Sequence, residues 1–407
     1  MLNCRFCRTS LHHTLVDLGT SPIANQLVEP ESLTKEESFF PLKVYVCPHC
    51  LLVQIPAALA PQRFFNDAYT YFSSFSDSWL DHARRYADDM QRRFGLGTGS
   101  YVVEVASNDG YLLQFFQAAG VPVLGIEPAG NCAAAARAKG IPTEVRFFGK
   151  AVAAELADRQ RADLMIANNV LAHVPDINDF VAGFQALLKP DGVATFEFPH
   201  VLNLIAQNEF DTIYHEHYSY LSLYAVEQIL AAHGLEVFDV EEWPSHGGSL
   251  RLFVQHRGGE RACENAVAAV RAKEREAHLH RLEGFTGFAA RVQQVKRELL
   301  KFLIAAKEEG RTVVGYGAPA KGNTLLNYCG VRTDLLAYTV DRSPHKQGRY
   351  LPGTRIPVHA PERILETKPD FVLILPWNLK DEIMEQMQSV RTWGGRFVTP
   401  IPALTVH

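Results

Sequence analysis

The sequence predicts an α/β protein in which a small N-terminal metal-binding module precedes two Rossmann-like units. Three observations carry this. Cys4-x-x-Cys7 and Cys47-x-x-Cys50 form two knuckles near the start, short apolar runs alternate with helical periodicity from about residue 80 to 255, and the same alternation begins again after Gly310. The expected domains are residues 1–65, 66–260 and 261–407, the last including a helical connector. A chain of 407 residues exceeds what one hydrophobic core normally organises. Its 47% hydrophobic and 21% charged residues match a packed globular protein. Forty Lys and Arg against 45 Asp and Glu give a net charge of −5, and no basic run is dense enough to track nucleic acid or an anionic membrane surface. No apolar stretch reaches the roughly 18 residues of a membrane helix, and MLNCRFCRTSLHH lacks a signal-peptide core. A cytoplasmic location is therefore expected.

In a reducing compartment the cysteine spacing reads as metal ligation rather than a disulfide framework. Four thiolates from Cys4, Cys7, Cys47 and Cys50 suit one tetrahedral zinc. His49, inside the second knuckle, and His12 and His13, after the first, leave a mixed shell open, with four sulfurs preferred. A complete set of protein ligands leaves no place for water, so this zinc is expected to be structural.

In the central unit, Tyr101–Val105, Val121–Ile126, Ala162–Ala167, Gly192–Phe198 and Leu235–Val240 read as strands of a parallel sheet covered on both faces. Ligands of such sheets bind beyond the carboxyl ends of the strands. At the first strand end the chain runs Val102-Val-Glu-Val-Ala-Ser-Asn-Asp-Gly110, with Glu104 near the end of the strand and Gly110 for the turn into a helix. This loop has polar side chains and no GxGxxG, which suits a ligand without phosphate such as S-adenosylmethionine. Glu127, followed by Pro128, ends the second run and can accept hydrogen bonds from ribose hydroxyls of either cofactor type. Asn168 and Asn169 end the third run, and His173 follows in Val-Leu-Ala-His-Val-Pro-Asp.

Residues 262–310 read as a solvated helical connector. Beyond it, Gly315-Tyr316-Gly317-Ala-Pro-Ala-Lys321-Gly322 follows a strand and opens a helix, with Asp341 at the next strand end. This is nearly a dinucleotide fingerprint and keeps open a rival reading, an NAD-dependent nucleotide-sugar oxidoreductase. Lys321 adds a point charge that suits the pyrophosphate of a nucleotide-sugar. A second alternative is a zinc-bearing scaffold without activity.

Together, CxxC…CxxC, EVASNDG, NNVLAHVPD, FEFPH and FDTIYHEHYSYLS resemble the sugar C-methyltransferase family over essentially the whole chain. The resemblance implies an N-terminal zinc-binding module, a central Rossmann-like S-adenosylmethionine-dependent methyltransferase domain and a C-terminal Rossmann-like nucleotide-binding domain. It implies methylation at C3 of a nucleoside-diphosphate-linked 4-keto-6-deoxy sugar, and a monomer. The cofactor would meet Glu104, Ser107, Asn108, Gly110, Glu127, Pro128, Asn168 and Asn169. A ring carbon becomes a nucleophile only when the proton beside the ketone is removed, so the site needs a base and an enolate stabiliser. His217 matches the family's base, Tyr214 and Glu216 share its motif, and His173 matches a residue near the keto oxygen. Tyr69 and Tyr71 match an aromatic segment of which one tyrosine enters the cleft. His246 and Arg251, in the turn Trp243-Pro-Ser-His-Gly-Gly-Ser-Leu-Arg, border the sugar, and Tyr316 and Lys321 are its expected contacts from the last domain. His215 is the expected bystander of the motif, and His200 divides evenly between site and scaffold.

Overall fold

The structure, a computed structural model, describes residues 2–67, 69 and 71–407. The two N-terminal knuckles are the same turn used twice. Cys4 and Cys47 each accept a bond from the amide four residues on, and that residue, Arg8 or Leu51, takes a left-handed φ of 65° or 58°. The strands His13–Ser21 and Phe40–Val46 then pair antiparallel, the second burying Leu42, Val44 and Val46 in strict alternation. Val53–Gln54 adds a third strand, and the fourth, Ser219–Tyr220, comes from far along the chain.

The helix Asp77–Phe94 opens the central domain. It is capped by the Ser76 side chain and stopped by Gly95 at φ 62°, and it buries Ala83, Tyr86, Ala87 and Met90. The central sheet has seven strands, in the spatial order Leu235–Trp243, Ser249–His256, Leu188–Pro199, Ala162–Asn168, Val102–Val105, Val123–Ile126 and Thr143–Glu144. Two strands join the five read as parallel, and one of them, Ser249–His256, is the strand that the sequence places after the glycine-rich turn following Trp243. Thr143–Glu144 is too short to show a period, and Ser249–His256 enters antiparallel to both neighbours. The sheet is thus mixed, with one strand running against the rest. From Val102–Val105 the chain first builds outward on one side and then returns to the other, so strand order reverses between Val102–Val105 and Ala162–Asn168. Ligands bind at such switch points.

The connector is less solvated than expected. Its helix Asn265–Glu276 buries Val267, Val270 and Glu274, the two valines joining the central core. Phe288–Glu308 buries Phe288, Val292, Val295, Leu299, Leu303 and Ala306 at three- and four-residue steps, the stripe of an amphipathic helix. That stripe shares one core with Leu42 and Val44 of the N-terminal sheet and with Val313 and Leu373 of the last domain. The last sheet runs Val358–His359, Thr339–Val340, Val313–Tyr316, Phe371–Ile374, Arg396–Thr399 and Thr405–Val406, parallel except for its final strand. Its order reverses between Val313–Tyr316 and Phe371–Ile374. Among the described residues no helix is long and apolar enough to cross a membrane.

Candidate active site

A cavity of about 520 Å³ is lined by residues of all three parts of the chain. The switch points of both large sheets open into it, through Ala106 and Asn168 on one side and Ala320 and Lys321 on the other.

At the cofactor end the loop after Val102–Val105 turns by three left-handed residues, Ala106, Asn108 and Gly110, at φ 58°, 49° and 75°. Gly110 is required doubly, since a Cβ there would also collide with the Ile141 side chain. Glu127 holds the loop. Its carboxylate accepts from the Asn108 amide at 2.9 Å and the Ala129 amide at 2.7 Å, and burial, partly offset by those bonds, pushes its pKa up to about 7. A carboxylate has about four acceptor positions, so two remain for ribose hydroxyls. Asn168 Oδ1 and both amide atoms of Asn169 are buried without a protein partner on the same wall. The single arginine among the lining residues, Arg146, is paired with Glu144 and Glu155. These donors and acceptors, with no unpaired arginine at this end of the cavity among the described residues, fit an adenosyl ligand that lacks phosphate.

Several residues expected at the cofactor act behind it. Asn108 lines the cavity, but its side chain accepts from Ser73 N and donates to Tyr71 O, fastening the aromatic segment over the site. Ser107 packs over Gly125 of the neighbouring strand, and Gly110 serves the turn; neither is on the cavity wall. Glu104, 1% exposed, also stands back from the wall, and burial raises its pKa far above the carboxylate range. Pro128 and Asn169 are on the wall.

At the centre, His217, His173 and Tyr214 cluster. The His217 ring lies 4.6 Å from that of His173 and 4.0 Å from that of Tyr214. His217 Nδ1 is 2.9 Å from the Thr212 carbonyl oxygen. A carbonyl only accepts, so Nδ1 carries the proton and Nε2 keeps a free lone pair. Burial, reinforced by His173, holds the His217 pKa well below the usual histidine range, and burial lowers His173 to about 4. Both rings are neutral at pH 7. Glu216 accepts two bonds from Asn25 Nδ2, at 2.8 and 3.0 Å, and burial raises it to about 7. His215 points away, to the Pro41 carbonyl oxygen. Tyr69 and Tyr71 both reach the cavity, Tyr69 against Phe65 on the inner wall and Tyr71, 51% exposed, at the mouth.

At the far end stand His246, in a left-handed turn at φ 56°, and Lys321, which donates to Asn378 at 2.9 Å and lies 4.7 Å over the Trp377 ring. Two expected sugar contacts are placed elsewhere. Arg251 is 2% exposed and binds Glu197 at 2.7 Å and Glu241 at 2.9 Å, buried beneath the strands, and Tyr316 lies in the core of the last sheet. Arg251 is the arginine of a strand whose alternate side chains face a buried carboxylate, which sequence cannot distinguish from a cleft. His200 lines the cavity and binds Glu274 at 2.6 Å. Asn25, Glu209 and Lys346 also reach the wall and were not singled out in the sequence. Asn25 lies in an irregular loop 191 residues from its partner, with no local pattern to mark it.

The four cysteine sulfurs lie within 4.8 Å of one another, with Cys4–Cys50 at 3.6 Å and Cys7–Cys47 at 3.4 Å. Zinc–sulfur bonds of ~2.3 Å place tetrahedral sulfurs ~3.8 Å apart, so this donor set fits zinc with no histidine.

A domain described as zinc binding matches residues 4–65, a methyltransferase domain residues 78–240, and a C-methyltransferase C-terminal domain residues 244–402. The fold and cavity thus define a three-part, zinc-bearing methyltransferase. At 36% identity over 98% of this chain and 95% of the relative, the sequence is similar to C-methyltransferase NovU of Streptomyces niveus, and the chain belongs to that C-methyltransferase family. The ubiquinone biosynthesis O-methyltransferase of Rhodopseudomonas palustris is 28% identical over 28% of this chain and 45% of its own length. Among solved structures, magnesium protoporphyrin IX methyltransferase from Synechocystis PCC 6803 with bound S-adenosylhomocysteine aligns at a TM-score of 0.36 and 15% identity, over 44% of this chain and 83% of that one.

Proposed function

We propose that the protein methylates C3 of a nucleoside-diphosphate-linked 4-keto-6-deoxy sugar through an enolate, with His217 as general base. The observation that carries this is the tautomer that the Thr212 carbonyl fixes for His217, on a ring that lines the cavity beside His173 and Tyr214. His217 Nε2 takes the proton from the carbon beside the ketone, and the electron pair moves onto the keto oxygen. Neutral His173 and the Tyr214 hydroxyl donate to that oxygen, and removing one such donor typically costs roughly 3 to 4 kcal/mol of barrier. Glu127, Asn168 and Asn169 would hold S-adenosylmethionine, which would supply the methyl group to the nucleophilic carbon, with the neutral thioether S-adenosylhomocysteine as leaving group. Glu216, tied to Asn25, braces the turn that carries the base. The last α/β domain supports a nucleotide-linked substrate, because its strand ends open into the same cavity.

The dehydrogenase reading loses its main support in the C-terminal loop. Asp341, which would meet a dinucleotide ribose, stands off the cavity wall, unlike Glu127, and besides accepting from the Ala318 and Ser343 amides it pairs at 3.4 Å with Lys346, which also donates to the Ala318 carbonyl. The loop is bound to itself.

Proton removal needs no methyl donor. Wild-type protein with the keto sugar and S-adenosylhomocysteine in deuterium oxide is expected to exchange the C3 hydrogen, and His217→Asn is expected to lose exchange and methylation while binding both ligands. Near wild-type exchange in that variant removes His217 from the role. NMR of the product locates the methyl group; a methyl on C5, the other carbon beside a C4 ketone, would reverse the sugar's orientation.

A further inference from the structure

The far end of the cavity holds groups that the proton transfer does not use. Glu209 is 3% exposed, lines the cavity, and its Oε1 has no partner within the protein. Its carboxyl group lies against Gly247, where any Cβ would collide with it, so the glycine turn carrying His246 is shaped around this acid. Lys321 reaches the same end of the cavity, held by Asn378. Behind them Asp211 is fully buried, with one oxygen bonded to Trp377 Nε1 at 2.7 Å and the other unpartnered.

The chemistry of this wall decides its ligand. Lys321 stands beside Asp211, raised by burial to about 6 and still charged at pH 7, and beside Glu209, raised by burial to about 8 and mostly protonated. Asp211 thus offsets the ammonium, and no surplus of positive charge is left for a diphosphate, which needs cations and backbone amides. A hydroxyl both donates and accepts. It can give its proton to Glu209 and take one from Lys321, satisfying the buried oxygen that otherwise lacks a partner. We propose that Glu209 and Lys321 together bind a ring hydroxyl of the substrate, making Glu209 a specificity residue and moving the diphosphate away from Lys321. This rests on the keto-sugar reading above.

The test is a cycle between protein and substrate deletions. Wild type and Glu209→Met are compared on thymidine-diphosphate-4-keto-6-deoxyglucose and on its 2-deoxy and 3-deoxy counterparts, with Glu209→Ala as a second size at the same position. On the full sugar the variants are expected to lose about 10- to 100-fold in kcat/KM, the range for leaving a buried hydroxyl without its partner. On one deoxy sugar they are expected to lose less than about 3-fold relative to wild type, because the partner is already gone. Affinity for S-adenosylhomocysteine should not change. Equal losses on all three sugars would overturn the proposal. So would a Lys321→Met variant that binds thymidine diphosphate more than about 10-fold more weakly than wild type while showing equal losses on every sugar, the pattern of a diphosphate contact. Wild-type hydrogen exchange on the full sugar separates either result from failure of the enolate chemistry, since it reports proton removal whether or not Glu209 is what holds the hydroxyl.

Discussion

Single residues in the cavity owe their chemistry to being dry. His217 and His173 are both held below the ordinary histidine range, chiefly by burial, and Tyr214, Tyr220, Glu216, His246 and Lys321 are among the titratable groups around them. A lowered histidine pKa favours the neutral form, so the base stays competent as pH falls and is lost only below its folded value. Hydrogen exchange into the substrate should therefore stay level from pH 7 to about 6, where an unperturbed histidine of pKa about 6.5 would already lose most of its activity. A step near pH 7 that vanishes in Glu216→Gln would belong to Glu216, at about 7, and one that survives that substitution to Glu127, also at about 7. An acid limb centred at about 6.5 in both proteins contradicts the dry site. Legibility at this scale followed local density. Tyr214, Glu216 and His217 crowd one short segment and all three reach the cavity. Glu104 and Ser107 shared a strand end with true wall residues, but strand twist and the packing over Gly125 turn them under the loop, which spacing cannot show.

Elements explain where sequence reading misplaced side chains. The strand Ser249–His256 runs antiparallel between two strands of the central sheet, and its Arg251 meets Glu197 of the neighbouring strand directly across the ladder. Burial pushes the Glu197 pKa up, but the hydrogen bond with His82 and the charge of Arg251 outweigh it and bring the group to about 2. Arg251→Met should therefore destabilise the protein by roughly 3–5 kcal/mol at neutral pH, the cost of stranding a buried charge. Urea unfolding measures this. KM for the sugar should hardly move in the folded fraction, and a large rise in KM with unchanged stability would return Arg251 to the substrate. The pattern identified Val102–Val105, Val123–Ile126 and Ala162–Asn168 because each is a short, mostly apolar and mostly buried run. It missed Val53–Gln54, Thr143–Glu144 and Ser219–Tyr220, where two residues are too few to display a period.

In the whole molecule, the zinc-bearing module and the reacting groups are mechanically one body. Arg5, next to a zinc-site cysteine, donates to the Ile55 and Pro175 carbonyls and stacks on Tyr218, whose amide bonds to Ala172 beside His173. Chelation or Cys47→Ser should remove the metal, about one zinc per chain in the intact protein. It should also raise amide exchange at residues 172–175 and 214–220, far from the knuckles in sequence. Faster exchange confined to residues 2–60 would show the module to be an independent appendage. The three-part architecture was readable because each part announces itself by motif or period. The shared cavity was not, since it arises from a helical connector whose apolar stripe draws the outer parts together.

The borrowed fourth strand sets an order of events during synthesis. The N-terminal sheet ends at Val53–Gln54 with an open edge, and the strand that covers it, Ser219–Tyr220, is made only after most of the central domain. An uncovered edge invites pairing with other chains. While the ribosome is still adding the central domain, the first module is therefore complete in metal ligands yet incomplete in backbone pairing. Nascent chains halted before Ser219 should be cleaved readily around Val53, and chains carried past Tyr220 and clear of the exit tunnel should resist. The segment that carries His217 into the cavity also finishes the first-made part of the protein, so the turn of the proposed base and the closing of the first sheet should form together.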